Sequence, residues 1–361
     1  MIDDIVGGAA VDRGQSIAIP SREPVTSLFA GPVDAFLLAA EWSFRQVYWR
    51  SSRLRGWIKR AKSKKTPVAQ AVDKQALTDH LQSIGVTTGS LVMAHTSVSG
   101  LSLTEGDSVT GKPANSMQVA QDLVSLLTAM VGETGTLVMP THPVYLPRSA
   151  SAGATDHSAV PVFNPLSTPC GVGLANELFW RKKGTLRSLF PHNTLAARGP
   201  LAVELLHDNL NESKPLAHGV HSGYYRFCCR NGLLISVGVP LASCFTLVHA
   251  AEESRDQQWS VKDFFEERDY TVRHQGVDQT VTIRKTRTEF MMFSLCIRKL
   301  RRDLVRAGIL HEGRVGTVRV DWARSGEIYQ FISQRNRTST YPYFGTSLVP
   351  RKELSRGSSS H

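Results

Sequence analysis

His249 and Glu252 stand three residues apart in a stretch with helical patterning, so their side chains share a helix face. A carboxylate beside an imidazole fixes the ring's tautomer and raises its basicity. Such a pair is equipped to take a proton from a nucleophile, although the same spacing also arises as ordinary surface pairing. Thr246, three residues earlier, adds a hydroxyl. Further polar residues follow apolar runs that read as strands: His95-Thr96-Ser97 after 90–94 and Thr141-His142 after 136–140. Arg187-Ser188 and Thr194 belong to a loop further on. In open α/β sheets, ligands bind at the carboxyl ends of strands, which is where such groups collect.

The elements that must hold these residues alternate along the chain. Helices are expected over 73–84, 117–131, 174–182 and 200–207, from about 246 onward, and over 287–307. Strands are expected over 90–94, 136–140, 233–239 and 315–322, with a hairpin over 270–283 turning at Gln275-Gly276. This alternation predicts a three-layer α/β/α domain, and the hairpin predicts that its central sheet is mixed. The expected organisation is an N-terminal extension over 1–72 with a basic helix, an α/β domain over 73–355, and a tag remnant at 356–361, where Gly357-Ser358-Ser359-Ser360 precedes His361.

The 361 residues are 41% hydrophobic and 20% charged, a composition that excludes global disorder. No apolar run reaches spanning length, and the acidic start Met1-Ile2-Asp3-Asp4 lacks the pattern of a secretory leader. The five scattered cysteines form no CxxC pair, read as buried structural thiols, and suit a reducing compartment. A cytoplasmic location is therefore expected. GxGxxG, P-loop, HExxH and GxSxG signatures are missing, as is any metal-like spacing, so no metal is expected.

The net charge of +11 is concentrated. Arg45, Arg50, Arg53, Arg55, Lys59, Arg60, Lys62, Lys64 and Lys65 fall in one stretch without an acid, interleaved with Trp42, Phe44, Tyr48, Trp49 and Trp57. Residues 33–65 thus read as a basic amphipathic helix. Such a helix either packs its aromatic face on the main domain or makes a peripheral contact with an anionic bilayer. Nucleic acid is not expected as a partner, because no recognition motif accompanies the charge.

The ordered blocks along the chain carry a resemblance. Leu77, Leu81, Gly85, Gly89, His95, Ser97, Ser99 and Leu101 form the first; Gly132, Gly135 and Thr136 to Thr141 the second. Phe163-Asn164-Pro165, Thr168-Pro169, Gly173 and Glu177 follow, then Arg187, Ser188, Pro191, Thr194, Ala197 and Gly199. Gly219 and Ser222 lead to Thr246, His249, Ala251 and Glu252 in a T-x-x-H-x-A-E block. From about 73 to 335 the chain resembles the aminoglycoside 3-N-acetyltransferase family. It departs from that pattern in Phe190, where His or Asn is common, in Thr194 for a serine, and in a longer loop between Leu101 and Met117. Residues 1–72 have no counterpart.

The resemblance implies acetyl transfer from acetyl-CoA to an amino group of an aminoglycoside or amino sugar, with no metal and no covalent enzyme intermediate. It implies catalytic roles for His249 as base, Glu252 as its partner and Thr246 as a donor to the developing oxyanion. The acetyl-CoA residues would be His95, Thr96, Ser97, Val98, Ser99, Ser116, Arg187 and Thr194, with phosphates at the helix start near Ser116. Glu177, His192 and Glu253 would face the amine acceptor. Two other readings stay open: a non-catalytic or altered-specificity relative acting at a membrane-associated glycan, and a different acyl donor or an oxygen acceptor. Oligomeric state is not legible.

Overall fold

The computed structural model describes residues 51–63, 70–104, 115–145, 160–211, 213–244, 246–255, 263–287 and 294–337, with isolated positions beside these. The expected tag remnant and most of the expected extension lie outside the described residues. Among these, the first complete helix is α1 (Ser52–Ser63).

The α/β unit starts with β1 (Gln70–Asp73) and α2 (Lys74–Ser83). Val72 is already part of the core, and Asp73 caps α2 by accepting from the Ala76 N–H at 2.8 Å. β2 (Leu91–Thr96), β3 (Leu101–Thr104), α3 (Ser116–Val131) and β4 (Thr136–Pro140) follow. Next come β5 (Val162–Phe163), α4 (Leu174–Arg181), β6 (Leu186–Arg187), β7 (Leu195–Arg198), α5 (Ala202–Leu206) and α6 (Gly223–Cys229). The chain continues through β8 (Leu233–Val237), a 3₁₀ turn at Leu241–Ser243, a second at Thr246–His249 and the short α7 (Ala250–Glu253). It ends with β9 (Phe265–His274), β10 (Val277–Thr286), α8 (Ser294–Arg306), β11 (His311–Val315), β12 (Val318–Arg324) and α9 (Ser325–Asn336).

The central sheet has seven strands in the order β11-β12-β8-β2-β4-β7-β6. β2 runs parallel to both β4 and β8, while β7 and β12 join antiparallel on the two sides. Both faces are buried, and the two-residue period of the strands shows it. Val92 and Ala94 of β2 pack on one face with Leu77, Leu81, Leu123, Leu127 and Phe179 from α2, α3 and α4. Met93, between them, packs on the other with Phe227, Leu300, Leu304, Ile328 and Ile332 from α6, α8 and α9. Near-continuous apolar strands are what burial on both faces requires. Each such leucine contributes about 1.5–3 kcal/mol on leaving water. The three-layer arrangement is thus the expected one.

The sheet is mixed for a different reason than expected. The hairpin is real and turns at Gln275-Gly276, but β9 and β10 form a separate three-stranded sheet with β5. Tyr270, Val272, Val281 and Ile283 give it a small core of its own with Phe163 and Phe190. The antiparallel members of the central sheet are the short β6 and β7 and the edge pair β11–β12. The helix expected from 246 is a 3₁₀ turn followed by one α-helical turn. No two of the five cysteines are joined; Cys228 and Cys296 are buried, and Cys229 is exposed.

Candidate active site

The carboxyl ends of β2, β4 and β8 converge on a cleft of about 840 Å³. That volume suits a small-molecule ligand. Its wall includes the run His95 to Ser99, then His142, Asn176, His192, His218, Thr246, His249 and Glu253. The location follows from the topology, because parallel strands leave their carboxyl ends uncovered there.

The wall is held by a few buried polar ties. Asn176, on α4, donates to the Pro140 carbonyl at the end of β4 at 2.7 Å, and its Oδ1 lies 3.4 Å from the Thr96 hydroxyl. It thereby fastens the ends of β2 and β4 to one helix. Asp321 of β12 accepts from the Leu241 N–H at 3.0 Å and from Arg319 Nε, which fixes the first 3₁₀ turn after β8. Gly238 takes φ +75° there, and a Cβ on it would stand 2.5 Å from the Ser97 carbonyl oxygen. Glycine lets β8 leave the sheet directly beside the 95–99 run.

From that anchored segment the second 3₁₀ turn delivers His249. Its Nδ1 lies 2.9 Å from Glu252 Oε2. An ionised carboxylate only accepts, so Nδ1 carries the hydrogen and Nε2 keeps its lone pair. Glu252 is fully buried, whereas the His249 ring is 20% exposed. Burial alone would pull this imidazole down. The charge and hydrogen bond of Glu252 and the charge of Glu253 outweigh burial, so its pKa is raised above the ordinary imidazole value.

A second pair stands beside the first. His218 Nδ1 lies 2.9 Å from Glu253 Oε1, and the His218 backbone N–H donates to Glu253 Oε2 at 2.6 Å. Burial pushes the Glu253 carboxyl up, but the charge and hydrogen bonds of His218 and the charge of His249 hold it below the usual range. The His218 and His249 ring centroids are 5.4 Å apart. His142 Nε2 meets the Tyr224 hydroxyl at 3.2 Å. Burial lowers His95 to about 4, His192 to about 4 and His142 to about 3, with charges on neighbouring histidines adding to the last. These three rings are therefore neutral at pH 7 and serve as hydrogen-bonding groups.

Of the residues singled out from sequence, the structure brings together His95, Thr96, Ser97, Val98, Ser99, His192, Thr246, His249 and Glu253 on the cleft, with Glu252 directly behind His249. The Thr246 hydroxyl currently bonds to the Cys244 carbonyl at 3.3 Å. Four others stand elsewhere. Arg187 donates to the Thr168 carbonyl at 2.5 Å and the Thr141 carbonyl at 2.8 Å, and its guanidinium lies over Trp180. Its Nε meets the Thr141 hydroxyl as well, so these donors fasten loops to one another. Glu177 accepts from the Cys170 N–H, Trp180 Nε1 and Arg181 Nε at 2.7, 2.8 and 2.7 Å, which consumes the carboxylate within α4 and its approach. Thr194 is buried and donates to the Phe190 carbonyl. Ser116 opens α3 at an exposed position, where Asn115 supplies the cap.

Sequence reasoning passed over His218, Tyr224 and Asn176, and gave His142 no role. His218 precedes Gly219-x-x-Ser222, a block that was legible, yet a lone loop histidine carries no periodicity. Its partner Glu253 was visible only as an acceptor-site acid.

The family described as aminoglycoside 3-N-acetyltransferase matches residues 74–336. Aminoglycoside N(3)-acetyltransferase III of Salmonella sp is 30% identical over 192 residues, which is 51% of this chain and 61% of that enzyme. The chain thus spans less than two thirds of that curated relative's length. Aminoglycoside N(3)-acetyltransferase IX of Micromonospora chalcea is 25% identical over 289 residues, covering 73% of this chain and 92% of the relative. Among solved structures, the binary complex of AAC-IIIb with CoASH superposes with a TM-score of 0.57 at 18% identity, over 74% of this chain and 96% of that one. At that identity the likeness establishes the fold.

Proposed function

Because the chain belongs to the aminoglycoside 3-N-acetyltransferase family, we propose that it transfers an acetyl group from acetyl-CoA to an amino group of an aminoglycoside or amino sugar. The observation that carries this reading is the His249–Glu252 pair, closed at 2.9 Å, on the wall of the cleft at the ends of β2, β4 and β8.

Acetyl-CoA supplies a thioester carbonyl open to attack by a neutral amine. The protein's residues do the rest. An ammonium does not attack, so the acceptor gives one proton to solvent before reaction; as the neutral amine attacks, His249 Nε2 takes the proton that the nitrogen then loses, and Glu252 stabilises the imidazolium that forms. The C–N bond forms as the C–S bond breaks, and the proton on His249 then goes to the departing sulfur. Thr246, three residues before the base, puts a hydroxyl on the wall that can turn toward the developing charge on the carbonyl oxygen. The 95–99 run and the buried His95 Nε2, which has no hydrogen-bond partner among the described residues, fit the pantetheine end of the co-substrate. The cleft holds these groups in fixed positions before substrate arrives, which is the general source of such rate enhancement.

A mass-spectrometric screen of aminoglycosides and amino sugars with acetyl-CoA tests the activity. Acetylated product with thiol release supports it. Calorimetry with acetyl-CoA tests the competing reading of a non-catalytic relative: no binding of acetyl-CoA would favour that alternative.

A second reading concerns the basic helix, and one observation favours it. On α1, which contains no acidic residue, Trp57 is 63% exposed; the described positions before it add Phe44 and Phe36, also exposed. Aromatic rings left in water beside a run of cations suit the headgroup region of an anionic bilayer. Flotation with anionic liposomes, compared between the full chain and a chain lacking residues 1–69, tests this reading. Equal recovery of both in the soluble fraction removes it.

A further inference from the structure

The cleft contains imidazoles that the proposed chemistry does not use, and His218 is one of them. His218 is 1% exposed and lines the cleft beside His249, with 5.4 Å between ring centroids. Glu253 grips it twice, through Nδ1 and through the backbone N–H. Its Nε2 is buried and has no hydrogen-bond partner among the described residues. Leaving such an atom unsatisfied costs free energy, so a water or a ligand is needed to meet it. The ring also packs on Tyr224 at 4.6 Å, which with Glu253 blocks rotation away from the cleft.

The tautomer decides what Nε2 can meet. In the neutral ring, with Nδ1–H given to the Glu253 carboxylate, Nε2 offers a lone pair. A lone pair is of no use to a carbonyl oxygen gathering negative charge. It suits a group with hydrogens to donate, and the acceptor's reacting nitrogen is such a group. Two lone pairs on rings 5.4 Å apart can share one nitrogen through two hydrogen bonds of about 3 Å each.

We propose that His218, set by Glu253, accepts a hydrogen bond from the acceptor's amino group and holds that nitrogen in line for His249. The assignment rests on the acetyltransferase reading and deepens it: one imidazole takes a proton, and its neighbour orients the nitrogen that loses it. The two consecutive glutamates then have separate duties, Glu252 serving the base and Glu253 serving the clamp.

The test compares two substitutions that keep different ends of the ring. His218→Asn retains a donor to Glu253 but nothing at Nε2. His218→Gln retains a polar atom at the Nε2 position. Steady-state kinetics are measured with acetyl-CoA saturating and the acceptor varied, using an amine that the wild-type protein acetylates. Acetyl-CoA affinity is measured separately by calorimetry. The proposal expects His218→Asn to raise the acceptor KM about tenfold, the loss of roughly one good hydrogen bond, with acetyl-CoA affinity unchanged. It expects His218→Gln to recover part of that loss. A purely structural role predicts the reverse order, because only the asparagine preserves the Glu253 contact; that order overturns the proposal. Should His218→Asn fail to fold, Glu253→Gln keeps the ring and releases its tautomer, and an unchanged acceptor KM in that variant overturns it equally. Wild-type protein inactive with every amine removes the acetyltransferase reading and this proposal together. An active wild type with unaffected variants removes this proposal alone.

Discussion

His218 and His249 lie side by side at 5.4 Å, each bonded through Nδ1 to one of two consecutive glutamates. Successive residues of a helix point about 100° apart. Glu252 and Glu253 on the single turn of α7 therefore aim at different partners, one on the preceding 3₁₀ turn and one on the loop before α6. A single helical turn thus orients two imidazoles on one wall.

The first prediction concerns pH. Burial lowers the His249 pKa, and Glu252 together with the Glu253 charge more than offsets that, so the native value is raised. A base is inactive once protonated, so activity of the wild-type protein falls as pH drops through this raised value. Glu252→Gln removes that charge and leaves burial opposed by the Glu253 charge alone, which lowers the imidazole pKa. The acid limb of the kcat–pH profile is expected to move to lower pH in that variant, with the plateau reduced as well. A limb that stays in place separates Glu252 from the titration of the base.

Arg187 is expected to matter for stability and not for turnover. Its guanidinium satisfies the carbonyls of Thr141 and Thr168. Arg187→Ala leaves these buried acceptors without a donor and removes the stack on Trp180. We expect a loss of about 2–4 kcal/mol in denaturant unfolding. Calorimetry of the folded variant should show acetyl-CoA affinity within a factor of about two, whereas a phosphate-binding arginine would cost far more.

Gly238 provides a test of the turn that joins β8 to the site. Alanine there meets the Ser97 carbonyl oxygen at 2.5 Å and must also hold φ +75°. Gly238→Ala is expected to destabilise the protein by about 1–3 kcal/mol and to weaken acetyl-CoA binding, because the 95–99 run has to move. Thermal unfolding and calorimetry read the two effects separately.

The layers of the fold were legible because β2, β4 and β8 are apolar on both faces, a pattern only a covered sheet requires, and because α3 and α4 repeat at helical spacing. The placement of the hairpin was not legible. Its alternation describes two paired strands equally well in either sheet, and only the packing of Tyr270 and Ile283 against Phe163 and Phe190 decides. At the site, the ordered T-x-x-H-x-A-E block identified His249 and Glu252, since both lie within one local motif. His218 was missed because its meaning comes from Glu253, 35 residues away. Arg187 and Glu177 read as ligand-binding residues for the opposite reason. Charge in a motif looks free in a sequence, and only the fold shows that carbonyls, an indole and a neighbouring guanidinium have already used it.

The central claim is that His249 removes the acceptor's proton. The most direct measurement is single-turnover acetyl transfer by His249→Ala, with acetyl-CoA binding measured in parallel. Loss of a general base predicts a rate lower by about 10²- to 10⁴-fold with acetyl-CoA affinity preserved. A rate within a few-fold of wild type, in a folded variant that binds acetyl-CoA normally, would contradict the account.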